Sequence, residues 1–225
     1  MSEVTAFDVV LPTKAEVASA SAYQRTKPRA EVKVQLDSDE HRSYYVPSRV
    51  ARAFESEGPS LPCPLEEFRD SLALAEAKAA FANLTEMLSR RDHSTKEAHD
   101  KLTRAGYHTQ AVAFAIASAL DRRFLDDDRF SRYFIEERLR RGWGRIKIES
   151  ELRRRGISPD SIPGYPEEFF SEDDDLARAR ELLNRTPVPE TRAYEKLVRR
   201  LIGKGFSYSV ASSAVRTRLS KAESE

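Results

Sequence analysis

Glycine is scarce and cysteine nearly absent, with eight Gly and one Cys in 225 residues. So few glycines argue against β-barrels, β-sandwiches and nucleotide folds built on Gly-rich loops. The single cysteine, Cys63, excludes an internal disulfide framework and a multi-cysteine zinc site, and it makes a reducing cytoplasm the expected compartment. Long apolar runs are missing too. The nearest approach, Ala111 to Leu120, is ten residues and rich in Ala, far short of a membrane span. The N-terminus carries Glu3 and Asp8 and lacks the basic-then-apolar order of a signal peptide. A soluble cytoplasmic protein without membrane contact is expected.

Catalytic constellations are absent as well. There is no G-x-S-x-G nucleophile elbow, no G-x-x-x-x-G-K-[ST] phosphate loop and no H-E-x-x-H. His93 and His99 lie near Asp92 and Asp100, but their spacing matches no common metal site. Asp126-Asp127-Asp128 and Glu172 to Asp175 lack the Gly-bearing spacing of a calcium loop and read instead as helix starts. Cys63 sits between two prolines with no basic neighbour to activate it. No enzyme, cofactor or metal is expected.

Present in quantity is charge, at 33% of residues against 40% hydrophobic, a composition suited to a soluble helical chain. The net charge is only +1, but its distribution is uneven. Residues 1–70 hold nine Lys/Arg against twelve Asp/Glu. Between Arg129 and Gly156, ten basic residues face four acids: Glu136, Glu137, Glu149 and Glu151. Nine of the ten are Arg, whose planar fork suits phosphate and carboxylate. The band reads either as a solvated helical face with i,i+4 ion pairs or as a binding surface; with few acids to pair with, the second reading leads.

Residues 1–30 show no sustained period and read as a mobile arm. Glu31 to Leu36 alternates polar and apolar, Asp37 to Glu40 supplies turn chemistry, and Ser43 to Val46 follows, so a β-hairpin is expected over 31–46. Ser48 to Phe54 suggests a short helix, and Gly58 to Pro64 a proline-punctuated linker.

The rest is repetitive. Ala98-x3-Leu102-x3-Gly106-Tyr107 is followed 50 residues later by Ile148-x3-Leu152-x3-Gly156-Ile157, and after another 49 by Leu197-x3-Leu201-x3-Gly205-Phe206. Two apolar residues at i and i+4 share one helix face. A glycine four residues later ends the helix in the left-handed conformation, and the apolar residue after it packs back on the last turn. Ser94-x-x-Glu97 forms a capping box for the first copy. Thr109, Ser158 and Ser207 are candidate caps for a third helix in each unit, with Val112, Ile116 and Leu120, or Val210, Ala214 and Val215, as its apolar stripe. The fold class is therefore all-α: three tandem three-helix repeats at 71–122, 123–170 and 171–220, forming an elongated curved rod after an N-terminal extension over 1–70, with a tail at 221–225. Pro163, Gly164 and Pro166 shorten the third helix of the middle repeat.

The candidate binding surface lies on that middle repeat: Arg129, Arg132, Arg140, Arg141, Trp143, Arg145, Lys147, Arg153, Arg154 and Arg155. On a helical wheel, Ile148 and Leu152 mark the core, while Trp143, Lys147, Ser150 and Arg154 share another face. A Trp among Lys and Arg suits single-strand stacking or an anionic protein groove; the alternative is that Trp143 closes an apolar seam. Phe130, Tyr133 and Phe134 read as a core stripe.

Phe124-Leu-Asp-Asp-Asp-Arg-Phe130, then Tyr133, Arg140-Arg-Gly-Trp-Gly-Arg-Ile146 and Glu151-Leu-Arg-Arg-Arg-Gly-Ile157, together resemble the RecX family. Ser131 stands where Ala is usual, and the likeness covers roughly 71–220. The resemblance implies three-helix repeats in a bent rod and a regulator of DNA repair, recombination and the SOS response. It implies as partner the RecA recombinase in its DNA filament, whose ATPase, strand exchange and LexA coprotease activity would be restrained, with single- and double-stranded DNA as further partners; a monomer is expected. A sequence-independent DNA-binding module is the alternative.

Overall fold

The computed structural model describes residues 2–23 and 27–222. The chain divides into two compact units, Met1–Asp126 and Asp127–Glu225.

The first unit begins with an antiparallel sheet of strands β1 (Glu3–Val10), β2 (Ala30–Leu36), β3 (His41–Val46) and β4 (Cys63–Pro64), in the order β3-β2-β1-β4. The β2–β3 hairpin is where the alternation places it. Ala30, Val32, Val34 and Leu36 are buried on one face, and Val32 pairs with Tyr44. The mobile-arm reading of residues 1–30 is corrected: β1 is an interior strand, paired with β2 and β4. A register shift between Val4 and Ala6 explains why its period was hidden. Val4 is buried before the irregularity, whereas Phe7 and Val9 pack inward after it, so the apolar positions change parity. Helix α1 (Lys14–Tyr23) follows, opened by a reciprocal cap in which Thr13 N–H donates to Glu16 Oε2 at 2.7 Å. The expected linker also carries structure, because Cys63 is buried and pairs with Val4.

Helix α2 (Ser48–Glu57) buries Val50, Ala51 and Phe54. Its Phe54 packs edge-on against Phe68 of α3 (Leu65–Leu88), with ring centroids 5.3 Å apart, and Phe7 joins both. This aromatic cluster ties the sheet to the first helical repeat, formed by α3, α4 (Thr95–Arg104) and α5 (Thr109–Asp121). Ser94 Oγ accepts the Glu97 N–H, as the capping box predicts. The N-cap of α5 is His108, not Thr109, and its N–H donates to Glu76 Oε1 at 2.8 Å. The buried face of α5 is Ala111, Val112, Ala115 and Ala119, with Leu120 outside it. Small residues there let α5 approach α3 closely.

The second unit holds α6 (Asp127–Arg140), α7 (Arg145–Arg154), a 3-10 turn at Pro159–Ser161, and then α8 (Glu172–Asn184), α9 (Ala193–Lys204) and α10 (Tyr208–Ala222). The third helix of the middle repeat is thus reduced to the 3-10 turn. Asp127 and Asp128 open α6, and Glu172 to Asp175 open α8, where the helix dipole favours carboxylates. Ser158 precedes the 3-10 turn without a side-chain cap, whereas Ser207 Oγ accepts the Val210 N–H.

The threefold repeat is physical. Gly106, Gly156 and Gly205 take φ of 94°, 79° and 94°. The next residue donates its N–H back to the repeat leucine each time, Tyr107 to Leu102, Ile157 to Leu152 and Phe206 to Leu201. All six of those side chains are buried.

Candidate partner-binding surface

The core of the middle repeat comprises Phe130, Phe134, Ile135, Ile148, Leu152, Ile157 and Ile162. Phe130 and Phe134 stack with centroids 5.8 Å apart. Tyr133 departs from the expected stripe and is 60% exposed.

The structure places the band residues around this core in three groups. On α6, Arg129 is exposed. Arg132 bonds Glu168 at 2.8 Å and the Pro163 carbonyl at 2.9 Å, with its guanidinium over Phe169. Arg140 pairs with Glu136 at 3.3 Å, and Arg141 pairs with Glu137. On the first turn of α7, Arg145 pairs with Glu149 at 2.7 Å and lies over Tyr165 and Phe170. At its end, Arg153 reaches the other Glu149 oxygen at 3.1 Å, while Arg154 and Arg155 share Glu151. Arg155 also covers the ring of Phe134.

Trp143 is half-buried against the core, and Lys147 Nζ lies 4.3 Å from its ring centroid. Of the four residues expected on one face, Trp143 and Lys147 are in contact, and the packing of Trp143 against the core also fits the alternative in which it closes an apolar seam. Arg138, outside the expected site, also lies over that indole at 4.8 Å and contacts Phe134. An interleaved Arg–aromatic stack anchors the seam between α6 and α7.

Electrostatics within the band is largely local. Hydrogen bonds from Arg154 and Arg155 hold the Glu151 carboxyl below the usual carboxylate range. Burial pushes Glu149 upward, but donors on Tyr165, Arg145 and Arg153 outweigh it and leave the group lowered. Burial and the facing Glu149 push the Tyr165 phenol well up. Glu137, Glu149 and Glu151 each serve more than one donor, which is how a few glutamates satisfy most of an arginine-rich band.

A different basic stripe emerges on α9. From Arg192 to Lys204 there are five basic residues and one acid. Lys196, Arg199 and Arg200 are exposed, and Arg199, Arg200 and Lys204 have no carboxylate partner among the described residues. Lys196, Arg200 and Lys204 follow at i, i+4 and i+8, about 6 Å apart in rise. That charge imbalance was readable in the sequence, though smaller than the one between Arg129 and Gly156. The stripe borders the middle repeat through the backbone, since Gly144 N–H donates to the Lys204 carbonyl at 2.9 Å and Ile146 N–H to the Gly205 carbonyl at 3.0 Å.

Comparison with known proteins bears on this arrangement. A family model described as RecX, second three-helix domain, matches residues 126–162, the segment holding the Arg and Trp band. The regulatory protein RecX of Vibrio vulnificus is 34% identical over 129 residues, covering 55% of this chain and 82% of that protein. This chain belongs to the RecX family. The RecX protein of Caldanaerobacter subterraneus is 25% identical over 141 residues, 63% of this chain and 71% of its own. Two crystal structures share the fold. RecX from Lactobacillus salivarius has a TM-score of 0.53 at 20% identity, over 63% of this chain and 96% of that one. A second RecX structure has a TM-score of 0.57 at 19% identity, over 82% of this chain and 94% of that one. RecX relatives are regulatory proteins of helical-repeat fold, and this chain is one of them. No helix among the described residues is long and apolar enough to cross a membrane.

Proposed function

We propose that this RecX protein binds the RecA recombinase in its DNA filament and restrains ATP hydrolysis, strand exchange and coprotease activity. It acts by binding rather than catalysis, as a cytoplasmic monomer. The observation that carries this reading is the coincidence of the family-matched segment 126–162 with the Arg and Trp band. Surface ion pairs such as Arg140–Glu136 and Arg153–Glu149 are individually weak, so exchanging them for partner carboxylates or phosphates costs little. The proposed contact residues are Arg129, Arg132, Arg140, Arg141, Trp143, Arg145, Lys147, Arg153, Arg154 and Arg155. Among these, Arg132, Arg145 and Arg155 also hold the repeat together through Phe169, Tyr165 and Phe134.

The test is DNA-dependent ATP hydrolysis by the cognate RecA on single-stranded DNA, with this chain added at a small fraction of the RecA concentration. Progressive loss of activity at that ratio supports filament regulation. Loss only when the chain saturates the DNA supports the second reading, a sequence-independent DNA-binding module. The α9 stripe favours keeping that second reading, because cations without carboxylate partners are the ones that exchange counterions for phosphates.

A further inference from the structure

In the first unit an open groove of ≈ 1030 Å³ runs beside β3, and four consecutive residues of that strand, Ser43, Tyr44, Tyr45 and Val46, line it. Successive strand side chains point to opposite faces, so four in a row border one space only along the strand's edge. β3 is an outer strand of the sheet, and β4 at the other margin has only two residues.

The pairing phase decides which backbone groups face outward. Leu36 N–H donates to the Glu40 carbonyl at 2.9 Å, which makes Val34–Arg42, Val32–Tyr44 and Ala30–Val46 the hydrogen-bonded pairs of the hairpin. The backbone N–H and C=O groups of His41, Ser43 and Tyr45 therefore point away from β2. They form a row of donors and acceptors at the two-residue spacing that only another extended chain matches.

One face of α3 forms the opposite wall. Glu66, Arg69, Asp70, Ala73 and Ala77 line the groove at helical spacing. From Glu66 to Ala77 the helix rises about 16 Å, the length of roughly five extended residues. Ala73 and Ala77 are small and leave depth. Tyr45, Leu74 and Phe114, at 51%, 53% and 50% exposure, are large apolar side chains bordering the same space. A strand edge facing a helix across a groove is the geometry in which extended peptides dock by strand addition.

Charge sets a polarity. Arg29 adjoins Ala30, the partner of Val46, so it marks the Val46 end. There Arg29 Nη1 lies 3.5 Å from His108 Nε2, and buried Glu76 holds His108 Nδ1 at 2.9 Å. The first turn of α5 carries no acid of its own and starts at the same end, but Glu76 already caps it, so Arg29 is the exposed cation lining that end of the groove. Glu66 and Asp70 lie toward the start of the α3 wall, which disfavours a polyphosphate occupant running the whole groove.

We infer that this groove docks an extended segment of a partner protein, which adds as a further strand on β3 and places a carboxylate at the Arg29 end. This goes beyond RecA regulation by the helical repeats and stands or falls independently of it.

The experiment selects from a displayed library of random octapeptides with free C-termini against the full chain, then measures the selected peptides in solution. Expected are peptides that slow amide exchange at Ser43 and Tyr45, and that weaken on conversion of their carboxylate to an amide. Two variants locate the site. Ala73→Arg fills the groove from an exposed helix position. Ser43→Pro removes one outward N–H while leaving the ladder bonds of its neighbours. Each should weaken binding about tenfold or more. Ala73→Arg alone carries the test if Ser43→Pro unfolds the hairpin. The inference is overturned if no peptide binds above background, or if binding ignores Ala73→Arg. It is also overturned if sedimentation shows a wild-type dimer that Ala73→Arg dissolves, since the occupant is then a second copy. The RecA ATPase of the same variants is a separate readout and should not change.

Discussion

Gly144 and Gly205 meet backbone to backbone. A Cβ on Gly144 would lie inside contact distance of the Gly205 carbonyl, and one on Gly205 would strike Lys147. The contact joins two helix ends of opposite polarity. The N-terminal amides of α7, from Gly144 and Ile146, donate to the C-terminal carbonyls of α9, from Lys204 and Gly205. No side chain caps the start of α7, so α9 itself satisfies these otherwise orphaned groups. The middle and last repeats are docked by this exchange, which also brings Lys147 beside the α9 stripe.

Gly144→Ala should therefore destabilise the second unit by about 1–3 kcal/mol, because backbone cannot move aside as a flexible side chain would. Urea unfolding followed by circular dichroism measures it. Gly203→Ala is the control. It lies inside α9 with nothing within 4 Å of a Cβ, and should gain about 0.5–1 kcal/mol through helix propensity.

Salt dependence separates the two basic surfaces. If the chain contacts DNA through α9, replacing Arg199, Arg200 and Lys204 together with Ala should lower the slope of log K against log salt by about one per cation removed. Replacing Arg153, Arg154 and Arg155 should lower it less, because Glu149 and Glu151 already neutralise them. Binding isotherms on single-stranded DNA at several salt concentrations decide this. An unchanged slope in the α9 triple variant removes phosphate contact from that helix.

Glu76 is 5% exposed within α3, yet it accepts both the backbone N–H and Nδ1 of His108. It acts as a cap delivered from a neighbouring helix. Glu76→Ala should cost about 1 kcal/mol by leaving the part-buried His108 N–H at the start of α5 without its acceptor. Glu76→Gln, which keeps one acceptor, should cost less in the same unfolding assay.

Stability should also fall on mild acidification. Burial lowers the pKa of His93 below its ordinary 6.5, with Arg91 and Lys101 adding to the effect and Glu97, 3.4 Å away, opposing it. The unfolded chain then binds a proton that the folded chain refuses, so stability is full above pH 6.5 and declines as pH drops toward the lowered value. Unfolding curves between pH 8 and 5 check the slope, and His93→Gln should flatten it whatever its own stability. Glu149 and Glu151 act in a lower window. Their depressed values give stability that is present above about 4.5 and lost below it.

Legibility followed the range of the interaction. The helix-ending glycines were readable because each signal spans ten residues and depends on local backbone conformation. The β2–β3 hairpin was readable for the same reason, through unbroken alternation and a short turn. β1 escaped because its bulge moves the inward side from Val4 to Phe7 and Val9, so no single period runs through it. β4 escaped because two residues carry no period at all. Of the expected stripe Phe130, Tyr133 and Phe134, the two phenylalanines are buried and Tyr133 is exposed.

The sequence alone determined where helices stop, which leucines and isoleucines are internal, and where basic residues accumulate, since all three depend on neighbours within two helical turns. Only the tertiary structure decided the contacts that reach beyond one helix. Arg132 meets Glu168 across 36 residues, and Arg138 closes on Trp143 only after the chain turns at Gly142. Within a helix the i,i+4 spacing sets the distance between charges, but across elements that distance is set by how helices pack. In the Arg band most carboxylates lie three or four residues from their arginines on the same helix, so the sequence itself supplies them. Arg192 to Lys204 holds one acid to five cations, and packing brings no distant carboxylate to Arg199, Arg200 or Lys204 among the described residues.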